Sequence, residues 1–287
     1  MISRRVVQTV LGIIWFIDGL LQLKPQMFTP AFIKQVILPT GQGEPDWVSS
    51  IVNWGAGIAI GHVALWNAIF AVIQLGIGLA LIFNYKTKAT IITSIVWCAI
   101  VWIFGEGFGQ ILTGQTLLMN GAPGAVFVYG LIGIAIWTDK DRLPSAWSSR
   151  GIRFAQLSLA GLFILGGVLH FQGSYLTATG LSQAIDVPWL ADAIGKQGAV
   201  VSVIMGLVEL AIAVMLMLKI RVRLAVVASV LLSLVFWWVG QSFGQILDPL
   251  ATDFNTGLLM ALLALCAHPI NLWKHVEKNG TERGMLI

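Results

Sequence analysis

The stretch VWIFGEGFGQILTG, from Val101 to Gly114, constrains the fold of this chain most, because it occurs twice. It returns 135 residues later as FWWVGQSFGQILDP, from Phe236 to Pro249. Trp102, Gly105 and the run Phe108, Gly109, Gln110, Ile111, Leu112 recur as Trp237, Gly240 and Phe243 to Leu247. A recurrence of that length marks a tandem duplication, so the chain is expected to fold as two copies of one unit. One difference inside the echo matters chemically: Glu106 in the first copy is Gln241 in the second.

The material of each unit is apolar. Of 287 residues, 57% are hydrophobic and only 10% charged, against roughly 25% charged in a soluble domain. That balance belongs to an integral membrane protein. Runs long enough to span a bilayer, about 20 residues each, fall near 6–23, 58–84, 89–111, 122–138, 154–171, 198–218, 224–247 and 255–269. The fold class expected is therefore all-α, with eight transmembrane helices arranged as two parallel four-helix repeats. Residues 1–140 make the first repeat, 141–153 a cytoplasmic linker, 154–270 the second repeat and 271–287 a cytoplasmic tail. The basic start and apolar run of the N-terminus resemble a signal peptide, but Asp18 interrupts the run and no small-x-small cleavage site follows. It reads as an uncleaved first span.

Lysine and arginine set the orientation. Fourteen of them, including Arg4, Arg5, Lys86, Lys88, Lys140, Arg142, Arg150, Arg153, Lys219, Arg221, Arg223 and Lys274, fall on one side of this arrangement; Lys24, Lys34 and Lys196 fall on the other. The positive-inside rule then puts both termini in the cytoplasm, in the cytoplasmic (inner) membrane, and turns the repeated stretch outward. The net charge of +4 is explained by this distribution, so nucleic acid is not an expected partner. An even number of spans per copy inserts both copies the same way up. The first copy carries about thirteen extra residues between Lys24 and Trp54, since Asp18 matches Gly166 at an offset of 148 while Gln74 matches Glu209 at 135. Its two prolines and its Met, Phe and Ile content suggest an interfacial tether in preference to a lid.

An ionisable group inside a span is costly and is a functional hypothesis by default. Helical spacing places Trp15, Asp18 and Gln22 on one face, and Asn67 and Gln74 on another, matched by Ser202 and Glu209 in the second copy. Trp102, Glu106 and Gln110 form a third stripe, echoed by Trp237, Gln241 and Gln245. Candidate catalytic residues are Asp18, Glu106 and Glu209. Candidate cofactor-binding residues are Trp102, Phe108, Gln110, Gln241, Gln245, Gln22 and His170. Neutral carboxyls and amides that merely hold helices together would account for the same pattern without chemistry. Asn120 and Asn255, 135 apart and each ahead of a fourth span, read as helix N-caps. No metal site is expected: Cys98 and Cys266 stand alone in apolar runs, with no CxxC. A haem held between His62 and His170 is the least favoured cofactor, because the two histidines are not equivalent in the repeats. GEGFG lacks the spacing of a dinucleotide fingerprint and follows no strand.

The order of features in the second copy, GGVLHF, then MGLVELAIAVMLMLKIRVRLAVVASV, WWVGQSFGQ and NTGLLMALLALC, resembles the DoxX-like four-helix membrane family. Glu209 and the Lys219–Arg223 turn match that family's second helix, while the first copy places Gln74 at the position of Glu209. The resemblance implies a quinone-linked role of the kind held by the small membrane subunit of thiosulfate:quinone oxidoreductase, with quinone as the small molecule and a periplasmic or membrane redox partner. The function expected is thus a membrane subunit of a redox complex with a carboxylate-containing site on the outer face. A small-solute, proton or cation transporter with its site between the repeats, and an anchor for a periplasmic enzyme, are the alternatives. The lipid membrane is the common partner of all three, and a homo-oligomer is compatible with each.

Overall fold

The computed structural model describes residues 2–137 and 146–267. Lys140, residues 141–145 of the expected linker, Arg142 among them, and the whole cytoplasmic tail lie outside the described residues. Among those described the chain is all helix, without a strand. The helices are α1 (Arg4–Leu21), α2 (Asp46–Ile60), α3 (Val63–Ile82), α4 (Thr87–Phe104), α5 (Ala125–Ala135), α6 (Ser149–Leu169), α7 (Pro188–Ile194), α8 (Gly198–Met217), α9 (Val222–Val239) and α10 (Asn255–Ala267).

Five stretches are long and apolar enough to cross a membrane: α3, α4, α6, α7 with α8, and α9. α1 has the length, 18 residues, but carries Arg4, Arg5 and Asp18. α5 and α10 are apolar but short, 11 and 13 residues. Leu65, Val72, Val96, Val200, Leu207 and Leu231 point outward and exposed. On a soluble protein such a coat of aliphatic side chains would aggregate, whereas in lipid it is the expected surface. The chain is a multi-pass helical membrane protein.

α1 packs along α3 and α6 along α8, each at glycines that let the backbones meet. A side chain at Gly78 would sit 2.6 Å from the Phe16 backbone, and one at Gly167 would sit 2.6 Å from Leu210 Cγ. α4 pairs with α5 and α9 with α10. The turns ahead of α4 and α9 are built alike. Asn84 and Lys86, and again Lys219 and Arg221, take left-handed backbone angles that reverse the chain into α4 and α9. Arg5 donates to the carbonyls of Leu81 and Ile82 at the end of α3, while Arg153 donates to those of Leu216 and Met217 at the end of α8. Guanidinium groups there satisfy terminal carbonyls that a membrane-buried helix end has no water to satisfy.

Two departures from the sequence reading bear on the site. The expected span 58–84 is two helices, with α3 starting after a break at Gly61–His62 and α2 belonging to the extra outer segment. That segment does not lie apart as a tether. Phe32 and Ile33 pack with Ala56, Ala59 and Val63 into a small core of their own against Phe70 of α3.

Candidate functional site

The helices of the first copy enclose a cavity of about 280 Å³. α1 contributes Trp15 and Asp18, with Gln22 at its end, α3 Phe70 and Gln74, α4 Trp97, Ile100, Val101 and Phe104, and α5 Val126 and Tyr129. The extra segment closes one side with Phe32, Val36, Ile37 and Thr40, and α2 adds Gly55 and Ala59. Thr252 and Asp253 reach in from the loop ahead of α10. The walls are mostly aromatic and aliphatic. Trp15 and Tyr129 stack with ring centroids 4.4 Å apart, and Phe70 meets Trp97 at 5.3 Å.

Polar groups break that lining at a few points. Asp18 is buried on α1, and its Oδ2 accepts a hydrogen bond from the Tyr129 hydroxyl while Oδ1 has no protein partner. Glu106 follows the end of α4, and its Oε1 accepts from the Val126 amide at 3.3 Å, so one oxygen caps α5. Its other oxygen is buried and unpartnered, as are Gln22 Oε1, Gln74 Oε1, Trp15 Nε1 and Trp97 Nε1. A buried polar atom without a partner costs about 1–3 kcal/mol, and six around one cavity mark a place shaped for a guest bearing both donors and acceptors.

Local geometry explains how these groups arrive there. Trp15, Asp18 and Gln22 share the α1 face that helical spacing predicts, and the Asn67 amide donates to the Gln22 carbonyl at 2.8 Å, tying α3 to the end of α1. Past α4 the chain runs through Gly107, Phe108, Gly109 and Gln110 with φ between 52° and 68°. Gly109 is obligatory there, because any Cβ would overlap the Pro123 carbonyl. Gly124 likewise leaves room for the Glu106 carboxylate.

The second copy holds the corresponding place filled. Gly166 stands where Asp18 would be, and a side chain on it would run into Glu209 and Leu118. Leu118 is fully buried and comes from the loop ahead of α5, in the other copy. Glu209 is buried, and His170 Nε2 lies 3.3 Å from its Oε1 while His170 Nδ1 is 2.9 Å from the Ser202 hydroxyl. Gln241 accepts from the Gly257 amide at 2.9 Å and donates to the Leu118 carbonyl and the Thr256 hydroxyl. The capping half of Glu106's geometry is thus reproduced by a neutral amide, and its free oxygen is not. Trp102 and Trp237 are 135 apart, whereas the capped amides of Val126 and Gly257 are 131 apart, so the first copy's loop is four residues longer. That extra length carries Leu118 across.

Of the residues singled out in the sequence, the cavity brings together Asp18, Gln22 and Glu106. Trp102 is framework: its indole donates to the Pro123 carbonyl at 2.6 Å, and it packs on Phe108 and Phe127 at 5.0 Å each. Phe108 meets Trp47 of α2 at 5.4 Å, and Gln110 donates to the Pro39 carbonyl, so both hold the extra segment in place. Glu209, His170 and Gln241 belong to the filled place in the second copy, and Gln245 is exposed on the outer turn. His62 is exposed at the start of α3, while His170 is engaged by Ser202 and Glu209. Asn120 does not cap a helix but donates to the Ala184 carbonyl, and Glu106 takes the capping role. No cluster of metal-ligating side chains occurs among the described residues.

Tyr129 and Asp253 are cavity residues that sequence reasoning passed over. Tyr129 is the lone hydroxyl-bearing side chain of an otherwise apolar α5, which is a usable signal. Asp253 sits in a loop, where a carboxylate is unremarkable. Burial pushes its carboxyl above the usual 3.8, against hydrogen bonds from Thr252 and the Asn255 amide that pull the other way. No family model, curated protein or solved structure matches the chain.

Proposed function

We propose that this chain is the membrane subunit of a quinone-linked redox complex and that the first-copy cavity receives the quinone ring. In this reading the protein crosses the cytoplasmic membrane eight times, as two parallel DoxX-like four-helix repeats with both termini in the cytoplasm. α1, α5 and α10 then join the five longer apolar stretches as spans, and the capping arginines Arg5 and Arg153 lie on the cytoplasmic side with the basic turns. The cavity falls in the outer half of the first repeat.

The observation that carries the reading is an aromatic-walled cavity, near the lower end of the size range for small-molecule pockets (about 300 Å³), into which two carboxyls present unpartnered oxygens. A planar ring fits between Trp15, Phe70 and Trp97, and its two oxygens meet groups of both hydrogen-bonding senses. Quinone and quinol interconvert with two electrons and two protons. Asp18 and Glu106 are placed to exchange the protons, and a redox partner supplies or takes the electrons. The lining comes from the first repeat except for Thr252 and Asp253, which supports a single specialised site over a pathway between the repeats.

The test is to purify the full chain in mild detergent, extract and quantify bound quinone, and titrate a benzoquinone by tryptophan fluorescence. Asp18→Asn and Glu106→Gln are expected to weaken binding of the reduced quinol, whose hydroxyls donate to the carboxylate oxygens, by on the order of tenfold each, the loss of about one charged hydrogen bond. Glu106→Gln should leave the melting temperature nearly unchanged, since Gln241 makes the same cap. A wild-type protein that carries no quinone and binds none sinks the proposal.

A further inference from the structure

Most of the cavity's lining is buried or half-buried, but Ile100 on α4 lines it while remaining 43% exposed to the outside. Beside it, Gly55 of α2 also lines the cavity and is part-exposed. A Cβ on Gly55 would stand 3.2 Å from Phe104, so α2 and α4 lie close together there, and the narrow gap at this edge of the cavity is uncovered on the α2 side because residue 55 has no side chain. The surface around that gap is apolar: Val96 is 54%, Ile58 45% and Trp54 63% exposed, with Trp54 packed on Phe104 at 5.6 Å. A surface of that kind faces lipid, not water.

The cavity is also polarised. Four of its six unpartnered polar atoms, on Trp15, Asp18, Gln22 and Gln74, belong to α1, its C-terminal end and α3, the pair packed against each other. The other two, Trp97 Nε1 and Glu106 Oε2, lie on and just past α4, which with α2 bounds the gap. We infer that the site is loaded sideways from the bilayer, between α2 and α4, by an amphiphile whose polar ring seats against Asp18, Gln22 and Gln74 while its apolar tail stays in the gap beside Ile100 and Gly55. This rests on the reading of the cavity as a ring-binding site and adds the tail, the route and the orientation. A tailed ligand never has to leave the hydrocarbon phase, so no large desolvation of the tail accompanies entry.

The experiment compares a decyl-substituted benzoquinone with the same ring lacking the tail, each titrated into the full chain in nanodiscs. Ile100→Trp fills the gap from the lipid-facing side, and Gly55→Leu closes it from α2. Either variant is expected to weaken the tailed compound at least on the order of tenfold more than the tail-less one. An equal loss for both compounds, or none for either, overturns the lateral route while leaving the ring site standing. If neither compound binds the wild type, the quinone reading fails instead. An alkyl probe with a neutral polar head and a photoreactive diazirine on its tail then decides the route alone. Crosslinks on 97–104 and 52–59 support it, and crosslinks confined to 248–253 at the outer loop overturn it.

Discussion

Asp253 reaches the first-copy cavity from the far end of the chain, with its Oδ1 accepting from the Asn255 amide and its Oδ2 from the Thr252 hydroxyl. Its carboxyl is held above 3.8, with burial as the leading cause. An acid whose folded value is raised favours the folded state while it is protonated. That contribution is complete below 3.8 and is lost as pH rises through the usual value towards the folded one. The melting temperature of the purified protein is therefore expected to fall with rising pH from about pH 4, with a slope of at most about 1.4 kcal/mol per pH unit for this one proton. Asp253→Asn keeps an oxygen for the Asn255 amide and should flatten the profile in that window. An unchanged profile in the variant would show that Asp253 does not titrate with folding. Asp18 and Glu106 were legible in the sequence because carboxylates in apolar runs are conspicuous, whereas a loop aspartate gains meaning only from where the loop goes.

Helix starts were legible to within a few residues after the Asn84–Lys86 and Lys219–Arg221 turns. The ends were not: α4 and α9 stop seven and eight residues before the expected spans, because the repeated stretch turns out of the helix at Gly105 and Gly240 and goes on through left-handed backbone angles. The extra outer segment was not legible either, since its run into α3 is apolar throughout and only the Gly61–His62 break separates α2 from α3. Hydropathy cannot tell a helix that walls a cavity from one that continues a span. Spacing misled at Asn120, which matches Asn255 by offset but not by place: Asn255 opens α10 and accepts from the Thr256 amide, whereas a longer loop separates Asn120 from α5. Where the two copies do agree in structure they invite a paired test. Arg5→Leu strips the end of α3 of the donor to Leu81 and Ile82, and Arg153→Leu does the same to α8 at Leu216 and Met217. Each loss should cost roughly 1–3 kcal/mol, the range for hydrogen bonds to a charged group. Arg5 makes the shorter bonds and should cost more. Unfolding in a mixed detergent series measures both, and a larger loss from Arg153→Leu would reverse the ranking.

At the scale of the whole molecule, the two copies are interlocked by their loops. Thr252 and Asp253 enter the first copy's interior, and Leu118 enters the second's; Lys24 ties the end of α1 to the Ile246 carbonyl. The duplication could be read from the echoed stretch, but the exchange could not, because nothing local to Leu118 says that it packs over Gly166. The same exchange distinguishes the cavity of the first copy from the filled place at Gly166 in the second: a leucine fills one, and a short polar pair borders the other. If Leu118 is the filler, Leu118→Ala should cost about 2–5 kcal/mol, the usual penalty for emptying a buried leucine site. Gly166→Ala should also destabilise, since its Cβ would overlap Leu118 and the Glu209 carboxylate. The informative measurement is the double variant. With Leu118 truncated, the alanine at 166 gains space on that side, and the combined loss should fall short of the sum by about 0.5–3 kcal/mol, the coupling typical of touching residues. Ring binding in the first-copy cavity should be unaffected throughout, because Leu118 does not line it. Strict additivity would mean that the crossed loop and Gly166 do not share one space, and the account of Leu118 as the filler of the second copy's place would fail with it.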